Sequence, residues 1–262
     1  MGRGRSAIVA LVALAFLGTF PAGSLSGARA VTLGARAAAG PEVLTPAAAP
    51  LVAEPREPDL AERGSLLVRI PWTMRITARP GGGRVVGTMP EGSRFYGQPL
   101  VAWVLRVSED GRFGLVAVPY AGRDVTGWIS LRGLERRVTH LEVVADLSER
   151  RIEVFRRGDV LFGAPAAVGA RVSPTPTGRY FVTDRVGFPA GGSLGTFAFG
   201  ISGIQTDLPP GWTGGDQLAI HGTNAPGTIG TAASAGCLRV SERVLDRLRT
   251  LLRLGTPVTI VP

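Results

Sequence analysis

The sequence predicts a mainly β protein, in which a small β-barrel is followed by a second β domain that packs one helix. From residue 65 onward, short alternating or apolar runs are separated by turns rich in glycine and proline, which is typical of small all-β folds. A second series of short strands begins near residue 139. Only one segment, close to the C-terminus, has the period of an amphipathic helix.

The first β domain is predicted to span residues 65–137. It holds about five short strands, the spacing expected for a barrel. The run "ARPGGGRVVGTMPEGS", followed later by "GWISL", resembles bacterial SH3-like domains, and this resemblance implies a wall-binding or spacer role. Trp103 and Trp128 are expected to fill the core, because large aromatic side chains usually pack inside; exposure for wall binding is the alternative.

The second domain is predicted to span residues 138–262. Residues 187–216 are rich in glycine and weakly patterned, which predicts a long functional loop or lid. Ser241 is the expected N-cap of the helix and Gly255 its end. The apolar face of this helix comprises Val244, Leu245, Leu248, Leu251 and Leu252. Strands are predicted at residues 141–146, 151–155, 217–220 and 257–261.

The first thirty residues have the pattern of a signal peptide. Arg3 and Arg5 precede an apolar run of eleven residues, 7–17, whereas a membrane-spanning helix needs about 20 and a signal core about 7–15. Small residues end the segment at Ala30, where cleavage is expected; an uncleaved anchor is the alternative, and it would be the protein's one link to a membrane. A lipoprotein is excluded because the only cysteine, Cys237, lies far away.

Residues 31–64 are predicted to form an extended linker. They contain five prolines, which prevent a continuous helix, and many alanines. All 29 basic residues of the chain are arginines, and loss of residues 1–30 would lower the formal charge from +9 to +6. That charge suits an anionic cell envelope. Nucleic acid is not expected, because export argues against it and no basic stretch with interleaved aromatics occurs. We therefore expect a periplasmic, cell-wall or extracellular location.

The scarcity of cysteine and histidine excludes several classes of protein. One cysteine cannot form an intrachain disulfide, and one cysteine with two histidines cannot form a Cys/His zinc site. No metal or organic cofactor is expected. A lone thiol in an exported chain is either inert in the core or kept for its reactivity.

The surroundings of Cys237 favour reactivity. His221 lies sixteen residues upstream, at the end of a predicted strand, and the predicted helix begins shortly after Cys237. An imidazole lowers the pKa of a neighbouring thiol, and a helix N-terminus adds positive potential, so the pair predicts a thiolate nucleophile at neutral pH. Papain-like proteases do not fit, because their cysteine precedes the histidine by well over a hundred residues.

Four blocks of sequence together resemble the L,D-transpeptidase catalytic domain, also called YkuD. They are "TPTGRY" at 175–180, "IHGT" at 220–223, "SAGCLRV" at 234–240 and "LGTPVTIV" at 254–261. The resemblance covers residues 139–262 and implies a β-sandwich that remodels peptidoglycan.

The resemblance also implies roles for individual residues. Cys237 would be the nucleophile and His221 its base, oriented by the backbone carbonyl of Gly222. The backbone N–H groups of Ala235, Gly236 and Cys237 would form an oxyanion hole. Contacts with substrate or a role in loop structure are expected for Ser234 and Arg239, and a contact with substrate is expected for Tyr180. Family members usually carry histidine at the position of Ala235, so the substrate contact or loop hydrogen bond that this histidine makes is not expected here.

The implied reaction is attack on a peptidoglycan stem peptide, with release of D-alanine and formation of a thioester. An amine of a neighbouring stem would then give a 3→3 cross-link, water would make the enzyme an L,D-carboxypeptidase, and a protein amine would anchor that protein. Carbapenem-type β-lactams are expected to acylate the same thiol. The alternative from another class is a non-catalytic peptidoglycan-binding protein.

Overall fold

The computed structural model describes residues 64–262, so the predicted signal peptide (1–30) and all but the last residue of the predicted linker (31–64) lie outside the described residues. A short 3-10 helix at Pro226–Thr228 and helix α1 at Glu242–Leu251 accompany the strands. The strands are β1 Ser65–Arg69, β2 Met74–Arg79, β3 Gly82–Met89, β4 Val101–Val107, β5 Phe113–Ala117, β6 Thr126–Ser130, β7 Arg136–Thr139, β8 Leu141–Asp146, β9 Arg151–Arg156, β10 Asp159–Pro165, β11 Val168–Gly169, β12 Gly178–Gly187, β13 Phe197–Ile204, β14 Gln217–His221, β15 Ala232–Ser234, β16 Leu238–Arg239 and β17 Pro257–Val261.

The first seven strands form one antiparallel sheet, ordered β3-β2-β6-β5-β4-β1-β7. Its core comes from strand side chains that alternate inward, as in β5, and Trp128 is buried while Trp103 packs partly buried against the same cluster. Trp103 therefore packs against the core, as expected. Trp128 is buried but lies outside the core cluster, with the Arg106 guanidinium 5.2 Å from its ring centre. The SH3-like character of this region stays a prediction.

The second sheet has eight strands, ordered β10-β9-β8-β17-β12-β13-β14-β16. The pairs β8–β17 and β14–β16 are parallel and the other pairs are antiparallel. Leu245 and Leu248 of α1 are fully buried in the core of this sheet. The predicted mainly β architecture with one packed helix is thus confirmed. Strand β7 ends at Thr139 and β8 begins at Leu141, so the change of sheet falls at residue 140.

Helix α1 begins as predicted but ends earlier. The Ser241 side chain accepts a hydrogen bond from the N–H of Val244 at 3.3 Å, which caps the first turn. The helix stops at Leu251 because Leu252 is already extended. Gly255, with φ of +84°, serves the turn into β17 instead, where its N–H donates to the carbonyl of Val182.

The prediction of one long loop over residues 187–216 is wrong, because strand β13 lies inside it. The sequence FAFGISGI is buried on both faces, and its glycines hide the strand pattern. A Cβ on Gly203 would lie 2.6 Å from the Tyr180 ring, so this glycine allows close packing of neighbouring strands. The loops that remain are residues 188–196 and 205–216.

The two sheets pack against each other within one compact unit. Phe181 of β12, in the second sheet, is fully buried in the core of the first. The N–H of Tyr120 donates to the carbonyl of Ser202 at 2.8 Å. Within residues 64–262, no helix has the length and apolar character needed to cross a membrane.

Candidate active site

Strands β14 and β16 place the candidate nucleophile and base together. Their parallel register pairs Ile220 with Leu238 and His221 with Arg239. Ile220 and Leu238 point into the core, so residues one step away on each strand occupy the opposite face. Continuing this register by one residue sets Cys237 beside Ala219, which is on the same face of the sheet as His221. Its Sγ lies 3.9 Å from the backbone oxygen of Gln217, at the start of β14.

The predicted orientation of His221 is present. Its Nδ1 lies 2.6 Å from the carbonyl oxygen of Gly222, and the side chain is buried. A carbonyl oxygen can only accept, so Nδ1 carries the proton and Nε2 of the neutral ring keeps its lone pair. This tautomer is the one that a base acting on a thiol requires.

The electrostatics of the pair differ from the expectation. Burial, with a smaller contribution from the Arg239 charge, lowers the pKa of His221 to about 4, although the hydrogen bond to Gly222 opposes this. Burial raises the pKa of the Cys237 thiol, partly offset by a backbone hydrogen bond from Ala219 and the Arg239 charge. The predicted thiolate at neutral pH is therefore wrong for the resting protein. The resting pair is a neutral thiol and a neutral imidazole, which suits proton transfer during attack.

Ser234 holds the loop that precedes Cys237. Its hydroxyl donates to the carbonyl of Cys237 at 2.6 Å and accepts from the N–H of Gly236 at 3.0 Å. These bonds do not need a side chain at residue 235, so Ala235 leaves this loop geometry intact. The N–H of Gly236 donates to the Ser234 hydroxyl, so it would have to be shared or released to serve in the predicted oxyanion hole. The N–H groups of Ala235 and Cys237 stay predicted donors.

Gly236 is required by its backbone and by its neighbour. Its φ is +115°, a region that side chains with a Cβ rarely occupy. A Cβ there would also lie 2.5 Å from Nε2 of Gln205. That buried amide donates to the carbonyl of Pro174 at 2.8 Å. Gln205, which no local sequence pattern indicated, therefore packs against Gly236 in the loop that precedes Cys237.

Arg239 and Tyr180, the two other predicted substrate contacts, lie in different parts of the structure. Arg239 exchanges backbone hydrogen bonds with Ala167, and its charge acts on both His221 and Cys237. Its contact with substrate stays a prediction. Tyr180 is buried, and its hydroxyl donates to the carbonyl of Thr177 at 3.0 Å. Tyr180 lines a cavity of about 720 Å³ between the two sheets. Its hydroxyl donor is therefore already used within the fold, and its contact with substrate stays a prediction.

Glu242 is a supporting residue that the sequence analysis did not identify. Its carboxylate accepts from the backbone N–H of Thr196 at 3.3 Å and also from the Thr196 hydroxyl. A Cβ on either Gly195 or Gly222 would overlap this carboxylate. Glu242 thus holds the loop before β13 against the residue whose carbonyl orients His221. The only sequence signal was an acid in the first turn of a helix, which has a simpler explanation in the helix dipole.

No group of three His, Cys, Asp or Glu side chains in residues 64–262 is arranged to hold a metal ion.

Residues 141–260 match the family model YkuD, the L,D-transpeptidase catalytic domain. This match spans most of the second sheet and the candidate active site, and it agrees with the resemblance carried by the sequence motifs. Two curated relatives, both named provisionally as L,D-transpeptidase YkuD, come from Bacillus licheniformis, with 30% identity over 120 residues, and Bacillus subtilis, with 34% over 118 residues. The alignments cover 46% and 45% of this chain, and the chain spans only 65% and 64% of these relatives' lengths. Among solved structures, the L,D-transpeptidase LdtMt1 in complex with imipenem aligns with 73% of this chain and all of its own, at 18% identity and a TM-score of 0.41.

Proposed function

We propose that this protein is an exported peptidoglycan L,D-transpeptidase that works through a Cys237 thioester. The observation that supports it is the placement of Cys237 and His221 on one face of adjoining strands, inside the segment that matches the family model. The Gly222 carbonyl, which selects the tautomer of His221, adds to this support. Export is proposed from the first thirty residues of the sequence.

The first half-reaction is acylation of the thiol. Nε2 of His221 takes the proton of the Cys237 thiol while Sγ attacks the carbonyl carbon between the third stem residue and the terminal D-alanine. The carbonyl oxygen becomes an oxyanion, for which the N–H groups of Ala235 and Cys237 are the proposed hydrogen-bond donors. The C–N bond then breaks, and the imidazolium returns its proton to the leaving amine of D-alanine.

The second half-reaction transfers the acyl group to an acceptor. His221 removes a proton from the attacking amine, the thioester C–S bond breaks, and the thiol is restored. A stem-peptide amine as acceptor gives the 3→3 cross-link that we propose. Water or a protein amine would use the same groups, so the acceptor is identified by its products.

The test is covalent labelling of the thiol by a carbapenem, followed by mass spectrometry of the intact protein. The wild type is expected to gain one adduct and to release D-alanine from a tetrapeptide stem. Cys237→Ala is the matched control and should do neither. If the wild type forms no adduct and releases no D-alanine, the proposal that this protein is an enzyme is refuted, and the non-catalytic wall-binding alternative remains.

The acceptor requires a separate measurement. Purified protein is incubated with tetrapeptide-containing wall fragments, which are then digested and analysed by mass spectrometry. 3→3 dimers support the transpeptidase, tripeptides alone identify a carboxypeptidase, and a stem joined to an added protein identifies an anchoring enzyme.

A further inference from the structure

A buried carboxylate lies between the two sheets, outside the groups used in the proposed reaction. Asp184 of β12 is 1% exposed. One of its oxygens accepts from the Ser93 hydroxyl, and the other accepts from the Thr183 hydroxyl at 2.7 Å and from Nε2 of Gln217 at 3.0 Å. We call Ser93, Thr183, Asp184 and Gln217 the Asp184 cluster.

The cluster connects the first sheet to the strand that carries His221. Ser93 lies in the segment between β3 and β4, and Gln217 is the first residue of β14. Nε2 of Gln217 is held by the Thr183 hydroxyl at 2.9 Å and by the carbonyl of Ile201 at 3.2 Å as well. The backbone oxygen of this same Gln217 is the acceptor 3.9 Å from Sγ of Cys237. A continuous set of contacts thus runs from Ser93 to the candidate nucleophile.

Gly200 on β13 leaves the space that the cluster needs. A Cβ at this position would lie 2.6 Å from Nε2 of Gln217 and 2.8 Å from Oδ2 of Asp184. Strand β13, which lies between β12 and β14, therefore carries a residue without a side chain next to the contact between these two groups.

The composition of the cluster indicates a role beyond packing. Within residues 64–262 no arginine forms a salt bridge with Asp184, so hydrogen bonds alone satisfy it. Burying a carboxylate is costly, and an apolar pair of similar size would join two sheets as well. What the carboxylate adds is direction, because it can only accept and so fixes the donors around it.

We propose that Asp184 is a positioning residue, which fixes Gln217 and through it the thiol of Cys237. Ser93 makes the first sheet a part of this support. The first domain then contributes to the reactivity of the thiol and does more than bind or space. The proposal adds a support to the site of the proposed function, but its test does not need that function to be right.

The experiment measures the rate at which iodoacetamide alkylates Cys237 as a function of pH. Asp184→Asn replaces one accepting carboxylate oxygen with an NH2 donor, which faces the donors of the cluster and should release Gln217. Gly200→Ala should displace Gln217 while the charge of Asp184 stays. Loss of a fixed acceptor for the S–H group removes a contact that favours the neutral thiol. Both variants are therefore expected to move the midpoint of the alkylation profile to lower pH, which speeds alkylation at pH 7 by about threefold for each half unit. Ser93→Ala should shift it in the same direction, and Ser93→Thr, which keeps the hydroxyl, should restore the wild-type profile.

The control is Ser108→Ala, which removes a serine of the first sheet whose hydroxyl donates to Asp110 on an exposed turn. It should leave the profile unchanged. Melting temperatures are measured for every variant. If Asp184→Asn and Gly200→Ala lower the melting temperature but keep the wild-type alkylation profile, the cluster is structural only and the inference is overturned. A wild type that is alkylated normally, yet forms no carbapenem adduct and releases no D-alanine from a tetrapeptide stem, refutes the proposed function alone.

Discussion

Acid should destabilise this protein through His221 more than through any ordinary surface histidine. The pKa of His221 is lowered to about 4 in the folded chain, mainly by burial, whereas an unfolded histidine titrates near 6.5. Between these two values the unfolded state binds more protons, so stability falls as the pH falls from about 6.5 towards 4. The difference of about 2.5 units at 1.36 kcal/mol each predicts a loss of about 3 kcal/mol between pH 7 and pH 4.

The assay is urea unfolding at pH 4, 5, 6 and 7, with His221→Gln compared with the wild type. The variant is expected to have the shallower pH dependence, with a difference of about 3 kcal/mol over the range, because the other titrating groups are common to both proteins. His140→Gln is the matched control, since it removes the chain's other histidine and should keep the steep dependence. Parallel curves for the wild type and His221→Gln would refute the burial of a neutral imidazole at this site.

Three further substitutions test the supports of the site. Gly222→Ala would press a methyl group into the Glu242 carboxylate and displace the carbonyl that orients His221. Carbapenem acylation, measured by stopped flow, should slow by about 100-fold. A wild-type rate would contradict this. Ser234→Ala removes two hydrogen bonds of the Cys237 loop and should cost about 1–3 kcal/mol in urea unfolding, together with slower acylation; an unchanged midpoint would show that the loop holds its shape without the hydroxyl. Ser241→Ala removes only the cap of α1 and should lower the free energy of unfolding by about 1 kcal/mol. Acylation of the folded protein should stay normal, so a loss of acylation would show that the helix N-terminus takes part in the reaction.

Local signals predicted several elements correctly because each depends on neighbouring residues. Ser241 caps α1 because a side-chain oxygen there reaches an N–H three residues on. The Gly222 carbonyl meets His221 because the two residues are adjacent. Where a signal was ambiguous, the prediction failed. The glycines of β13 concealed a strand, and Gly255 was read as a helix end although it serves the following turn.

The supports of the site could not be predicted, because their partners are far apart in sequence. Glu242 is 46 residues from Thr196, and Ser93 is 91 residues from Asp184. A lone acid or glutamine within a strand has no local pattern that identifies its partner. Tyr180 shows the converse case, since its motif suggested substrate while its hydroxyl turned out to be occupied by nearby carbonyls.

The sequence by itself determined which residues are the candidate nucleophile and base, because one cysteine and two histidines leave few choices. It also determined the mainly β class and the late helix, which follow from periodicity within short segments. Only the tertiary structure decided the charge state of the site, since the pKa values of Cys237 and His221 depend on burial by the whole sheet. It also decided that the first sheet is linked through Asp184 to the strand that carries His221, because burial and register arise only when distant segments pack together.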